Sequence, residues 1–178
     1  MYNKALILRE KISEQFEILD KRSVKPSWTE LETEGKDLLN WKKNNEIKGL
    51  WEESPLMITA TLDDAWGIGL KLIHLYADIA GLDYIHLGLM LTSEQIIDEC
   101  IKKQPDILGL TVLRSDMQDE FENICKKIPD KTRIVAGGSV IKSESEFAEC
   151  EKGYYSAENA LSFIKYLLEF DYGKKIYI

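Results

Sequence analysis

The residues able to do chemistry fall in three short runs. Asp63-Asp64-Ala65-Trp66-Gly67-Ile68-Gly69 sets two carboxylates beside an indole and two glycines. Thr111-Val112-Leu113-Arg114-Ser115 carries two hydroxyls and a guanidinium. Gly137-Gly138-Ser139 is backbone that a ligand can approach closely, because glycine has no Cβ. Any one run reads as an ordinary turn between a strand and a helix. Three of them, if the fold gathers them, describe a ligand crevice. The histidines and cysteines add no metal centre: His74, His86, Cys100, Cys125 and Cys150 have none of the close spacings of zinc sites. The cysteines are also too few and too scattered to predict a disulfide framework.

Whether the runs meet depends on the elements that carry them. Apolar, β-rich stretches at Leu56–Thr61, Tyr84–Leu89, Ile107–Val112 and Arg133–Ala136, with a weaker one near Gly153–Tyr155, read as strands. Helical stretches at about 67–80, 93–103, 115–127, 143–149 and 157–170 alternate with them. This alternation predicts βαβ units and a parallel sheet. Five such units match the flavodoxin-like (Rossmann-like) doubly wound order 2-1-3-4-5, whose ligands bind beyond the carboxyl ends of the first and third strands. All three runs follow strands at that edge.

Ahead of this region the chain reads as helical. Leu8, Ile12, Phe16 and Leu19 form one stripe, and Ser27-Trp28-Thr29-Glu30 has the form of a capping box opening a second helix. Ser54-Pro55 marks a boundary. The expected organisation is a helical segment over 1–54, an α/β domain over 55–170 and a tail over 171–178. Two helices are too few for a core of their own, so they are expected to pack on the remainder of the chain.

Composition narrows the function classes. The 178 residues are 44% hydrophobic and 30% charged, ordinary for a globular protein, and no apolar run reaches membrane-spanning length. A net charge of −8 argues against nucleic acid and anionic membranes as partners. The first ten residues mix charge with apolar side chains and lack a signal-peptide core, so the expected location is cytoplasmic. Within the flavodoxin-like class, a phospho-receiver needs an aspartate where Thr111 stands, and a flavodoxin needs a hydroxyl-rich phosphate loop that 62–67 does not supply.

From about Met57 to Leu168 the chain resembles the cobalamin (vitamin B12)-binding domain of methionine synthase, methyltransferase corrinoid proteins and B12-dependent mutases. The family pattern is Asp-x-His-x-x-Gly after strand 1, Ser-x-Leu after strand 3 and Gly-Gly after strand 4. Here these positions hold Asp64-Ala65-Trp66-Gly67-Ile68-Gly69, Thr111-Val112-Leu113 and Gly137-Gly138. Residues 80–88 and 105–110 resemble the family's second and third strands. The resemblance implies a corrinoid cofactor, with Asp64, Trp66 and Gly69 near the ring and Thr111, Leu113, Gly137 and Gly138 along its nucleotide tail. Ser115 and Tyr154 join these by loop position.

The departure is at Trp66. In the family, histidine binds cobalt from below while the aspartate orients its other ring nitrogen. An indole has only an N–H to donate and cannot replace that ligand. Neither His74, within a helix, nor His86, within a strand, is placed to take the role. Two readings are open. In one, the chain holds a corrinoid without a histidine ligand, eases reduction of the cobalt, and presents the cofactor to a larger partner such as a methyltransferase. In the other, Trp66 plugs the crevice and the domain is a cofactor-free interaction or regulatory module.

Overall fold

The computed structural model describes residues 3–64, 68–143 and 148–172. It contains five strands, β1 (Leu56–Thr61), β2 (Asp83–Gly88), β3 (Ile107–Thr111), β4 (Arg133–Gly137) and β5 (Tyr155–Ser156). The helices are α1 (Lys4–Asp20), α2 (Trp28–Asn44), α3 (Ile68–Ala80), α4 (Ser93–Lys103), α5 (Gln118–Lys127), α6 (Ser139–Ser143) and α7 (Ala160–Glu169). A turn of 3-10 helix, Ser115–Met117, leads into α5. The strands form one parallel sheet in the order β2-β1-β3-β4-β5, the doubly wound order expected from the alternating pattern. No helix among the described residues is long and apolar enough to cross a membrane.

The chain divides into two compact units. One comprises Leu56–Gly67 and Tyr84–Asn159 and carries the strands with α4, α5 and α6. Its core follows the period of two in β1: Ile58, Ala60 and Leu62 share a face with Leu108, Leu110 and Val112 of the β3 stretch and with Ile134 and Ala136 of β4. Ile96, Ile97 and Cys100 of α4 and Phe121, Ile124 and Cys125 of α5 complete this cluster. The amphipathic spacing of those helices, each with lysines in its last turn, sets the inward face.

The other unit comprises Met1–Pro55, Ile68–Asp83 and Ala160–Ile178. In it α1 packs on α7 and α2 on α3, so the N-terminal helices find their partners in helices far along the chain. The Tyr76 hydroxyl donates to the Leu31 carbonyl at 3.1 Å. Trp51 meets the ring of Phe170 edge-on, at 6.1 Å between centroids. The Ser27 capping box forms as its sequence predicts, with Ser27 and Glu30 each bonding the other's backbone N–H.

One expectation needs correction and another reaches beyond the described residues. The helix read at 143–149 falls largely on 144–147, which lie outside the described residues, and a helix that the sequence reading did not give, α6, begins at Ser139 directly after the glycine pair. Gly138, at φ +124°, turns the chain at once from strand to helix, so no loop intervenes. The cysteines, scattered in sequence, are not all separate: Cys125 and Cys150 form a disulfide with Cα atoms 5.5 Å apart. Burial pushes the remaining thiol, Cys100, up to about 12, with nearby Glu99 adding to the effect. A thiol reagent applied to the oxidised native protein should therefore titrate no cysteine, one after unfolding, and three after unfolding with reductant. Reduction should cost the fold about 3 kcal/mol, measured as the shift in urea midpoint, because the bond closes a loop across 25 residues.

Candidate functional site

Parallel strands end together, so the exits of β1, β3 and β4 lie at one edge of the sheet. Thr61, Thr111 and Gly137 stand level there, and Thr59, Gly109 and Val135 form the next row inward. Both rows lie on the sheet face opposite the aliphatic cluster, by the alternation along each strand. Thr59 and Thr61 are almost fully buried. The Thr59 hydroxyl is 3.1 Å from Nδ1 of His86 on β2, which fixes that histidine as a partner within the sheet.

The loops beyond the edge are tied to one another by backbone and by one carboxylate. Asp63 is only 3% exposed. Its Oδ2 accepts the Leu113 N–H at 2.6 Å, joining the exit of β1 to the exit of β3. Its main-chain carbonyl accepts the Met90 N–H at 3.0 Å, joining both to the turn after β2. The other carboxylate oxygen, Oδ1, is buried and has no hydrogen-bond partner among the described residues. A buried carboxylate with half its acceptor capacity unused is costly, and a donor brought by a ligand would reduce that cost.

At β4 the fit is tighter still. The Val112 N–H donates to the Gly137 carbonyl at 2.8 Å, and the Ser139 hydroxyl donates to the Leu113 carbonyl at 3.1 Å. A Cβ on Gly138 would fall 1.9 Å from the Val112 carbonyl oxygen, so only glycine permits this approach. Arg114 and Asp116 close the outer side of the β3 exit with a two-pronged ion pair. The Asp116 carboxylate, with smaller contributions from Asp63 and Asp64, holds the Arg114 guanidinium above its ordinary value.

Of the residues singled out from sequence, Thr111, Leu113, Gly137 and Gly138 come together at this edge. Ser115 is exposed and begins the 3-10 turn beyond Arg114, and Asp64 is exposed just after Asp63. Ala65, Trp66 and Gly67 lie outside the described residues. Ile68 and Gly69 open α3, with open space around the position of a Gly69 Cβ. Tyr154 lies elsewhere: it precedes β5 and packs edge-on against Phe121 of α5, 5.0 Å between ring centroids. Sequence reasoning placed Asp63 in the right run but gave the binding role to Asp64, and it missed Thr59 and Thr61. The period of two in Leu56–Thr61 was the available signal, since it sets both threonines on one buried face.

A doubly wound sheet with a carboxyl-edge site of small side chains and a half-satisfied carboxylate defines a ligand-binding α/β domain. The profile of the B12 binding domain family matches residues 56–163, and the chain belongs to that family. Cobalamin is the cofactor that this membership assigns. A cobalamin-binding protein from Desulfitobacterium hafniense has a similar fold, at TM-score 0.65 and 17% identity over 88% of this chain and 75% of its own. The monomethylamine corrinoid protein of Methanosarcina barkeri is similar at TM-score 0.55 and 22% identity, over 78% of this chain and 64% of its own. No curated protein sequence matches the chain.

The described residues fit the periphery of a corrinoid. A corrinoid rim carries primary amides, whose N–H groups suit the unfilled Asp63 Oδ1, and the part-exposed members of the level row, Thr111 and Gly137, are small. Among the described residues no group of three His, Cys, Asp or Glu side chains is placed to hold a metal ion. Alanine substitutions should grade with the space at each glycine. Gly69→Ala should be nearly neutral, Gly137→Ala, facing the Ala157 carbonyl at 3.1 Å, should cost about 1 kcal/mol, and Gly138→Ala more than about 3 kcal/mol in urea unfolding.

Proposed function

We propose that this protein carries a corrinoid at the carboxyl edge of its sheet without a histidine ligand and presents it to a larger partner enzyme, with methyl transfer as the reaction class. The observation that carries the reading is the buried, unpartnered Oδ1 of Asp63 at the carboxyl edge, where doubly wound sheets take their ligands. The bound corrinoid would supply a cobalt centre able to accept and donate a methyl group.

The chain's own residues would bind and orient that group. Asp63 accepts from a rim amide while its other oxygen stays on the Leu113 N–H, so binding does not disturb the loop junction. Thr111 would offer a hydroxyl to the tail, and Gly137 beside it adds no side chain. Asp64, exposed beside them, is an acceptor suited to the indole N–H of Trp66. Trp66 carries an indole with an N–H to donate and no lone pair, so it would give the cobalt of a bound corrinoid no nitrogen ligand. The reading places the protein in the cytoplasm, where reducing conditions would hold Cys125 and Cys150 as adjacent thiols. The name of the Methanosarcina protein, a monomethylamine corrinoid protein, supports methyl transfer as the class.

Titration with hydroxocobalamin and methylcobalamin, followed by absorbance and equilibrium dialysis, tests this. Wild type should bind saturably with the benzimidazole displaced, and Trp66→His should bind at least as tightly with a spectrum shifted by nitrogen ligation. Binding by Trp66→His alone would overturn the reading in favour of a plugged, cofactor-free interaction module.

A further inference from the structure

The connection from β2 to α4 is Leu89-Met90-Leu91-Thr92, and both of its ends are fixed. The Met90 N–H is held by the Asp63 carbonyl at 3.0 Å and the Leu91 N–H by the Thr61 carbonyl at 3.3 Å. Thr92 then caps α4 in a reciprocal capping box with Gln95. Gly88, at φ +121°, and Met90, at φ +55°, make the turn.

Met90 is anomalous in two independent ways. Among the described residues, three that are not glycine have positive φ: Glu46, Met90 and Gln104. Glu46 and Gln104 lie just past the ends of α2 and α4, where a left-handed residue is the usual stop, and both are polar. Met90 comes after a strand, where glycine or asparagine would serve without the steric cost. It is also 70% exposed, beside Leu89 at 37%, so an apolar side chain is held in water by a backbone it disfavours. Leu91 differs: it packs against the aliphatic cluster and needs no other account. Strain of this kind persists where neighbouring structure imposes it, and it concentrates at ligand sites.

The position of the turn identifies the occupant. Met90 is bonded through its backbone N–H to the main-chain carbonyl of Asp63, so the turn is tied to the residue that carries the half-satisfied carboxylate. We propose that Met90, with Leu89, is a contact for the rim of the corrinoid macrocycle and is kept in this conformation for that contact. A corrin rim alternates methyl groups with amides, which suits an exposed thioether side chain on a turn bonded to the residue that supplies the carboxylate acceptor. The inference rests on the reading of this edge as a corrinoid site.

Met90→Gly and Met90→Asn relieve the left-handed strain and remove the apolar contact, whereas Met90→Leu keeps both. The readouts are the thermal midpoint of the cofactor-free protein and affinity for hydroxocobalamin and dicyanocobinamide by equilibrium dialysis. The expected result is an unlowered midpoint for Gly and Asn, with affinity for both corrinoids weakened about tenfold, and Leu within about twofold of wild type. Gly and Asn variants that bind like wild type would overturn the proposal and assign the side chain to a protein partner. A parallel fall in midpoint and affinity would overturn it as a folding effect. Absence of binding by wild type would instead remove the corrinoid reading beneath it.

Discussion

The carboxyl edge of this sheet depends on the bond from the Leu113 N–H to the Asp63 carboxylate. Strand exits in a parallel sheet diverge into separate loops, and beyond the last backbone bonds of the ladder a side chain must hold them together. A side chain 3% exposed and charged can persist there only if donors compensate its lost hydration. One oxygen is compensated, by a charge-assisted bond of about 1.5–3 kcal/mol, and the main-chain carbonyl of the same residue takes the Met90 N–H. Asp63 thus joins three loops. The glycine contact at Val112 and the Ser139 bond to Leu113 extend the same junction to β4.

That junction explains why so much of the edge consists of small residues. Backbone groups from three loops converge, and side chains larger than threonine in the level row would force them apart. The cost of a wrong residue is therefore uneven: Gly138 faces a carbonyl at a distance no Cβ can tolerate, Gly137 faces one it can nearly accommodate, and Gly69 faces nothing. Shared membership of a sequence pattern conceals these differences. The three glycines read alike in a motif, yet only one closes the junction.

The sheet order was legible because strands and helices alternate with clear changes of period, and each apolar run is bounded by turn residues. The capping boxes at Ser27 and Thr92 were readable for the same local reason. The start of α6 was not, since a helix that begins immediately after a glycine pair leaves no polar loop to mark it. The partnership of Cys125 and Cys150 was also hidden, because it depends on how the segment ahead of β5 returns to α5. At the site, the motif drew attention to Asp64, while burial falls on its neighbour. Adjacent residues leaving a strand point to opposite sides, and sequence spacing alone does not say which side is the inner one. Tyr154 illustrates the converse: its loop position suggested the crevice, but a large aromatic near Phe121 gains more by packing on α5.

Charge decides which class of ligand such an edge can take. Asp63, Asp64 and Asp116 contribute three carboxylates, and the guanidinium of Arg114 is committed to Asp116. The remaining groups offer acceptors and negative potential, in keeping with the net charge of −8 over the whole chain. Doubly wound domains that hold a nucleotide by its phosphate bring N–H groups or basic side chains to this place. Here the Leu113 N–H, a donor at the same place, is already occupied by Asp63. A hydrogen-bond donor with an apolar body suits the carboxylates described at this edge, and an amide-fringed macrocycle has both features.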